Sequence, residues 1–124
     1  MRFEDKIDVF KAIAEINRVR ILIMLQKKSL CVCELTEILQ LSISTVSKHL
    51  SVLKKAGFIE YEKDGKWINY KVVKNFDNEL VKQIMKNIYK WFEDEKIIQQ
   101  DLLKVFEFDR NKICSFSEKV RDVM

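Results

Sequence analysis

In 124 residues the chain has no proline and two glycines, Gly57 and Gly65, and this shortage of chain breakers constrains its fold more than any other feature. An all-β sandwich needs many tight turns, and linker-rich or collagen-like chains need Gly and Pro throughout. Helix must therefore dominate. With 48% apolar and 34% charged residues, the composition suits one folded domain with a modest core rather than a disordered chain. The longest unbroken apolar run, Ile21 to Leu25, is far short of a signal h-region or a membrane span. A soluble, cytoplasmic protein with no membrane partner is the expectation. Three cysteines, Cys31, Cys33 and Cys114, are then expected to be thiols and not a disulfide framework.

Ile7, Phe10, Ile13 and Ala14 recur at helical spacing behind an acidic first turn, which predicts an amphipathic helix over residues 4–14. A second helix is predicted from an Asn17 cap to Leu25, followed by a polar connector over 26–30. A third runs from about Val32 to Leu39, with Leu35, Ile38 and Leu39 inward. Leu41-Ser42 turns the chain, and Ser42 can cap a fourth helix ending where Gly57 can adopt the left-handed conformation. Two helices joined by so short a turn form a helix-turn-helix. Beyond Gly57 the segments 58–62 and 67–72 are aromatic and β-branched, and Asp64-Gly65 between them suits a type I′ hairpin turn. A basic hairpin in this position is a wing. From Asn78 the helical period returns, and Leu80, Ile84, Ile88, Trp91, Ile98, Leu102 and Phe106 fall on one broad face. They need one helix of about 30 residues, or two broken near Glu93–Glu95. An apolar face that long on a small domain predicts a homodimer.

The net charge of +4 is concentrated. Between Ser42 and Lys74, Lys48, Lys54, Lys55, Lys63, Lys66, Lys71 and Lys74 face only Glu60, Glu62 and Asp64, while the rest of the chain is balanced. A local basic patch fits a polyanion such as double-stranded DNA, or else a plain solvated face. The fourth helix favours DNA. At about 100° per residue, Ile43, Val46, Leu50 and Leu53 define its buried side, and Ser44, Lys48 and Lys55 point away. Thr45 lies beside them, with Ser47 and His49 on the flanks. Small hydroxyl side chains around one lysine can enter a major groove, meet base edges and hold phosphate. No Asp or Glu occurs from Gln40 to Phe58, so nothing there repels a phosphate backbone. Lys63 and Lys66 on the hairpin are candidate phosphate contacts. His49, the sole histidine, reads as a phosphate or packing contact in preference to a metal ligand. No Gly-rich phosphate loop, Cys-x-x-Cys pair or nucleophile beside the histidine marks an enzyme.

These blocks resemble the ArsR/SmtB family of winged-helix metalloregulatory repressors. Residues 12–22 resemble its first block, Leu30-Cys31-Val32-Cys33-Glu34-Leu35 its metal box, residues 41–50 its recognition helix, and Gly65-Lys66-Trp67-Ile68-Asn69-Tyr70 its wing. The resemblance spans about residues 8–73, in family order. It implies a homodimeric repressor that leaves its operator when a toxic metal or metalloid binds. Ile43 stands where the family often has Gln, Ile16 where it has proline, and Thr36 where some members have a third cysteine. The histidines of the family's interhelical zinc site are missing.

Thiolates are soft donors, and a Cys-x-Cys with one further sulfur can supply a three-sulfur site. By the resemblance, As(III) is the expected inducer at Cys31 and Cys33, with cadmium or lead as lesser alternatives. No cofactor is needed for DNA binding itself. Cys114 or an exogenous thiol would complete the set. On an intact helix the two side chains would diverge by about 200°, so chelation is expected to distort the start of the third helix. Oxidation of the same thiols is a rival trigger. The expected organisation is a winged helix-turn-helix over residues 1–76 and a helical dimerisation region over 77–124 packed on the same domain. The fold class is mostly α with a small β-hairpin wing.

Overall fold

A computed structural model describes residues 1–107. Cys114 and the end of the proposed dimerisation region lie outside the described residues. Helix α1 (Phe3–Ile13) opens on an acidic turn in which Asp5 pairs with Arg2 at 3.3 Å. Hydrogen bonds from the Arg2 guanidinium hold the Asp5 carboxyl below its ordinary range. The inner face of α1 is Val9 and Ala12. The expected core residues Ile7 and Phe10 are instead exposed, as is Phe3 one turn before them. Both stripes have helical period, and only packing on α2, α4 and α5 selects between them.

Helix α2 (Ile16–Lys27) is capped by Glu15, not by the expected Asn17: the Glu15 carboxylate accepts the Arg18 N–H at 2.9 Å. Asn17 faces Arg20, accepting from its Nη1 at 2.9 Å. Residues 19–25 are all buried, because α2 contacts α1, α4, α5, α6 and β3 and is the central rod of the domain. Arg20 survives inside that run through a bidentate pair with Asp101 of α6, Nε to Oδ2 at 2.8 Å and Nη2 to Oδ1 at 2.9 Å.

The expected connector over 26–30 is overturned at both ends. Helix α2 continues to Lys27, and Leu30–Cys31 forms a short strand, β1. Two residues carry no period, so only their partner strand makes them a strand. Helices α3 (Val32–Leu39) and α4 (Ile43–Lys55) follow, as their spacing predicts. Ser42 caps α4, accepting the Thr45 N–H at 3.2 Å, and Gly57 closes it at φ +92. Strands β2 (Ile59–Asp64) and β3 (Trp67–Val72) complete an antiparallel sheet of order β1-β3-β2. Asp64 pairs with Trp67, so the two-residue turn is Gly65-Lys66 and not Asp64-Gly65. Gly65 has φ +61, whereas Lys66 is not left-handed. That is the pattern of a II′ turn, not the expected I′.

Helices α5 (Glu79–Phe92, capped by Asn78) and α6 (Lys96–Glu107) are separate. The break over 93–95 also breaks the expected single face. Ile84, Ile88 and Ile98 lie in this chain's own core, and Leu80 and Leu102 pack against it. Trp91 and Phe106 are exposed. A stripe consumed by its own core is no argument for a partner; the apolar surface left over is the outer face of α1 and the far ends of α5 and α6. Among the described residues no helix is long and apolar enough to cross a membrane. The protein is a mostly helical winged helix-turn-helix with a small three-stranded sheet.

Candidate nucleic-acid interface and thiol site

Helix α4 is held by its apolar side. Val46, Leu50 and Leu53 are fully buried, and Ile43 is half-buried at the entrance. With those positions anchored against α2 and α3, geometry sends Ser44, Thr45, Ser47, Lys48 and Lys55 to the surface, and all five are exposed. The first turn is ordered by hydroxyls: Ser42 Oγ donates to Thr45 Oγ1 at 2.8 Å and lies 3.2 Å from Ser44 Oγ. Lys54, at the other end, places its Nζ 4.5 Å over the Tyr61 ring and ties the end of α4 to the wing.

His49 is placed differently from its neighbours. Its Nδ1 lies 3.3 Å from Arg18 Nη1 and its Nε2 lies 3.8 Å from Glu15 Oε2, with 14% of the side chain exposed. The same Arg18 donates to the Ala12 carbonyl at 2.6 Å and the Lys11 carbonyl at 3.1 Å. One guanidinium thus closes the C-terminus of α1 and steadies α4 through His49. Neither Arg18 nor Glu15 carries a site signal in the sequence. Nothing in the spacing signals a contact, since Arg18 lies 31 residues from His49 and Glu15 is further still.

Strand alternation separates the wing's charges. Paired residues share a face, so Tyr61 with Tyr70 and Lys63 with Ile68 lie on one side. Glu60 with Lys71, Glu62 with Asn69, and Asp64 with Trp67 lie on the other. Lys71 meets Glu62 at 3.0 Å and Glu60 at 3.9 Å. The acids that dilute the hairpin's charge in sequence are therefore partly neutralised on the face away from Lys63. Lys66 sits in the turn, exposed, with its Nζ 4.7 Å over the Trp67 ring.

Cys31 is not in α3. It is the residue before the helix, extended at φ −86 and ψ 166, and its backbone pairs with Asn69 of β3. Cys33 lies in the first turn of α3. The divergence expected of two residues on one regular helix does not apply, because the first of them is a strand residue. Both thiols pack into one cluster with Trp67, distinct from the main core. Cys31 is buried and Cys33 half-buried. Glu34 completes a capping box: its Oε1 accepts the Cys31 N–H at 3.1 Å while the Cys31 sulfur faces the Glu34 N–H. Glu34 is itself buried, and Trp67 and Glu34 were not singled out from sequence. Soft sulfur donors brought together beside an aromatic ring suit a thiophilic guest. Among the described residues, no group of three or more His, Cys, Asp or Glu is placed to hold a metal ion, so a third donor would come from elsewhere.

Comparison with known proteins agrees with this architecture. The family model for bacterial regulatory proteins of the arsR family matches residues 16–61, which run from α2 into the wing. A cadmium resistance transcriptional regulatory protein CadC homologue of Staphylococcus aureus is 37% identical over 86 residues, covering 68% of each chain. The arsenical resistance operon repressor of Escherichia coli is 36% identical over 73 residues, 58% of this chain and 62% of that one. Among solved structures, HlyU from Vibrio cholerae superposes with a TM-score of 0.63 at 27% identity, covering 76% of this chain and all of the other. With a helix-turn-helix that presents hydroxyls and lysines, a wing behind it and relatives that are transcriptional regulators, the chain belongs to the arsR family and is a DNA-binding regulator, not an enzyme.

Proposed function

We propose that the protein is a cytoplasmic, homodimeric repressor that binds operator DNA and leaves it when trivalent arsenic binds Cys31 and Cys33. The observation that carries this reading is the meeting of both thiols in one cluster at the start of α3, the helix whose far end turns directly into α4. Ser44, Thr45 and Ser47 address base edges in the major groove, Lys48 the adjoining backbone, and Lys55, Lys63 and Lys66 flanking phosphates; His49, whose ring nitrogens face Arg18 and Glu15, serves as the packing contact that seats α4. Residues 1–76 read DNA. Residues 77–124 form the dimerisation region, and the exposed Phe3, Ile7 and Phe10 of α1 supply further apolar surface for a second copy.

The chemistry favours arsenic over cadmium or lead, though relatives are named for both arsenic and cadmium resistance. Arsenous acid arrives uncharged. Each thiol displaces one hydroxyl: an As–S bond forms, an As–O bond breaks, and the thiol proton leaves with the hydroxyl as water. No net charge enters the buried site, whereas a divalent cation requires both thiol protons to be lost to solvent first. A third sulfur, from Cys114 or an exogenous thiol, displaces the last hydroxyl. Drawing Cys31 and Cys33 onto one atom shifts the start of α3 and with it the seat of α4. Losing contacts worth about 1–3 kcal/mol in each half-site lowers operator affinity by factors of roughly tens to ten thousand.

Titrating the reduced protein on its own upstream DNA with arsenite, cadmium, lead and zinc tests this. Arsenite should release the wild type and leave Cys31→Ser bound. Release by peroxide but not by arsenite would replace the metalloid reading with thiol oxidation.

A further inference from the structure

We propose that Trp67 couples the thiol site to the wing, so that ligand binding reaches DNA through the hairpin as well as through α3 and α4. The proposal rests on the thiol-site reading above and adds to it the path by which occupancy is transmitted. Trp67 is the first residue of β3, directly behind the hairpin turn. Its side chain is only 9% exposed and belongs to the small cluster with Cys31 and Cys33 instead of the main core. The same cysteine is joined to the same strand a second time, because the backbone of Cys31 pairs with Asn69, two residues further along β3. The thiol site is therefore held to the wing by a side-chain contact and by strand pairing at once. Its route to α4, by contrast, runs the length of α3.

Close-packed groups transmit small displacements. When two sulfurs are drawn onto a common atom, the indole packed in the same cluster cannot keep its surroundings unchanged. Beyond Trp67 the hairpin consists of a tight turn, and Lys66 in that turn already stacks its ammonium over the indole ring. Moving the ring re-aims Lys66, and the strand that moves with it carries the partner of Lys63, Ile68. Trp67 stands apart from the core packed around α2, whereas Tyr70 and Val72 further along β3 pack against that core, so movement confined to the turn end of the hairpin leaves the core intact. The wing is the part of the DNA-reading surface that can yield without unfolding the domain.

Trp67 also makes the proposal directly readable, since the chain has two tryptophans and the other, Trp91, is exposed. In full-length Trp91→Phe, arsenite is titrated while three signals are followed: arsenic–thiolate ultraviolet absorption, Trp67 emission, and amide exchange of residues 67–72 against 43–55. The expected result is that Trp67 emission changes in step with the absorption and the hairpin amides exchange faster. In Trp67→Leu, the ratio of operator affinities without and with arsenite should shrink at least about tenfold, a ratio from which any basal loss of DNA binding divides out. Absorption that rises while Trp67 emission and hairpin exchange stay unchanged overturns this proposal alone, as does an undiminished ratio in Trp67→Leu. Absence of arsenic–thiolate absorption overturns the thiol-site reading and this one together.

Discussion

The first turn of α4 is closed by Ser42, whose hydroxyl accepts the Thr45 N–H at 3.2 Å, whereas the first turn of α3 begins on Cys31, whose sulfur is a weak acceptor. The two turns face different surroundings as well. The first presents hydroxyls to solvent; the second buries the Cys31 thiol against Trp67 of the wing, half-buries Cys33 beside it and buries the Glu34 carboxylate. The difference separates two tasks. The turn that opens a recognition helix must keep its own shape while the seat beneath it moves, and a strong cap with an apolar anchor provides that. A sensing turn must change, and at α3 the sulfur that faces the Glu34 N–H is also a proposed ligand atom, so in that reading binding weakens its half of the capping box as it forms the site.

The largest effects should come from the anchors common to both helices. Leu35→Ala in α3 and Leu50→Ala in α4 remove fully buried side chains and should each destabilise the domain by about 2–5 kcal/mol in urea unfolding. A cost under about 1 kcal/mol at Leu35 would show that all of α3 is loosely held, not its first turn alone. Next in size, Lys48→Ala should weaken operator binding and reduce the slope of log affinity against log salt by about one, while stability stays within about 0.5 kcal/mol. An unchanged salt slope would remove α4 from the interface.

Smaller effects probe the caps. Ser42→Ala should cost about 1 kcal/mol. Cys31→Ser exchanges a weak acceptor for a stronger one at a buried position and should stay within about 1 kcal/mol by thermal unfolding, yet abolish the arsenite response. A Cys31→Ser variant that still responds would end the division of labour between the two turns. The smallest effect is alkaline. Burial pushes the Tyr70 hydroxyl above its ordinary 10.0, with Tyr61 adding to the shift. Its contribution to stability is complete below pH 10 and is lost as pH climbs through the raised folded-state value; Tyr70→Phe should flatten that decline.

How far these features are legible in the sequence differs from element to element for physical reasons. Helices α3 and α4 carry their own signals, with Leu35, Ile38 and Leu39 or Val46, Leu50 and Leu53 at helical spacing, Ser42 before and Gly57 after. Strand β1 carries none, because Leu30 and Cys31 are extended only through pairing with Tyr70 and Asn69. The Glu15 cap was obscured by Asn17, a stronger cap by residue type that Arg20 draws away. In α1 two stripes compete, and the one with larger side chains is the one left outside.

The thiol site shows the same division. Cys31 and Cys33 are visible as a soft-donor pair from residue chemistry alone, yet the pair reads as two diverging side chains until a strand in front of the helix is known. Contacts of long sequence separation, such as Cys31 with Trp67, Arg18 with His49 or Arg20 with Asp101, leave no periodic trace.

Composition and local pattern were enough to determine that this chain is helical, that a helix-turn-helix is followed by a hairpin, and that hydroxyls and lysines occupy one side of the second helix, because each of these follows from bonds and spacings within a few residues. Tertiary structure decided which stripe of α1 is buried, where the wing's acids go, and that both cysteines share a cluster with Trp67. Those outcomes depend on which surfaces compete for one small core, and that competition is settled only when the whole chain packs.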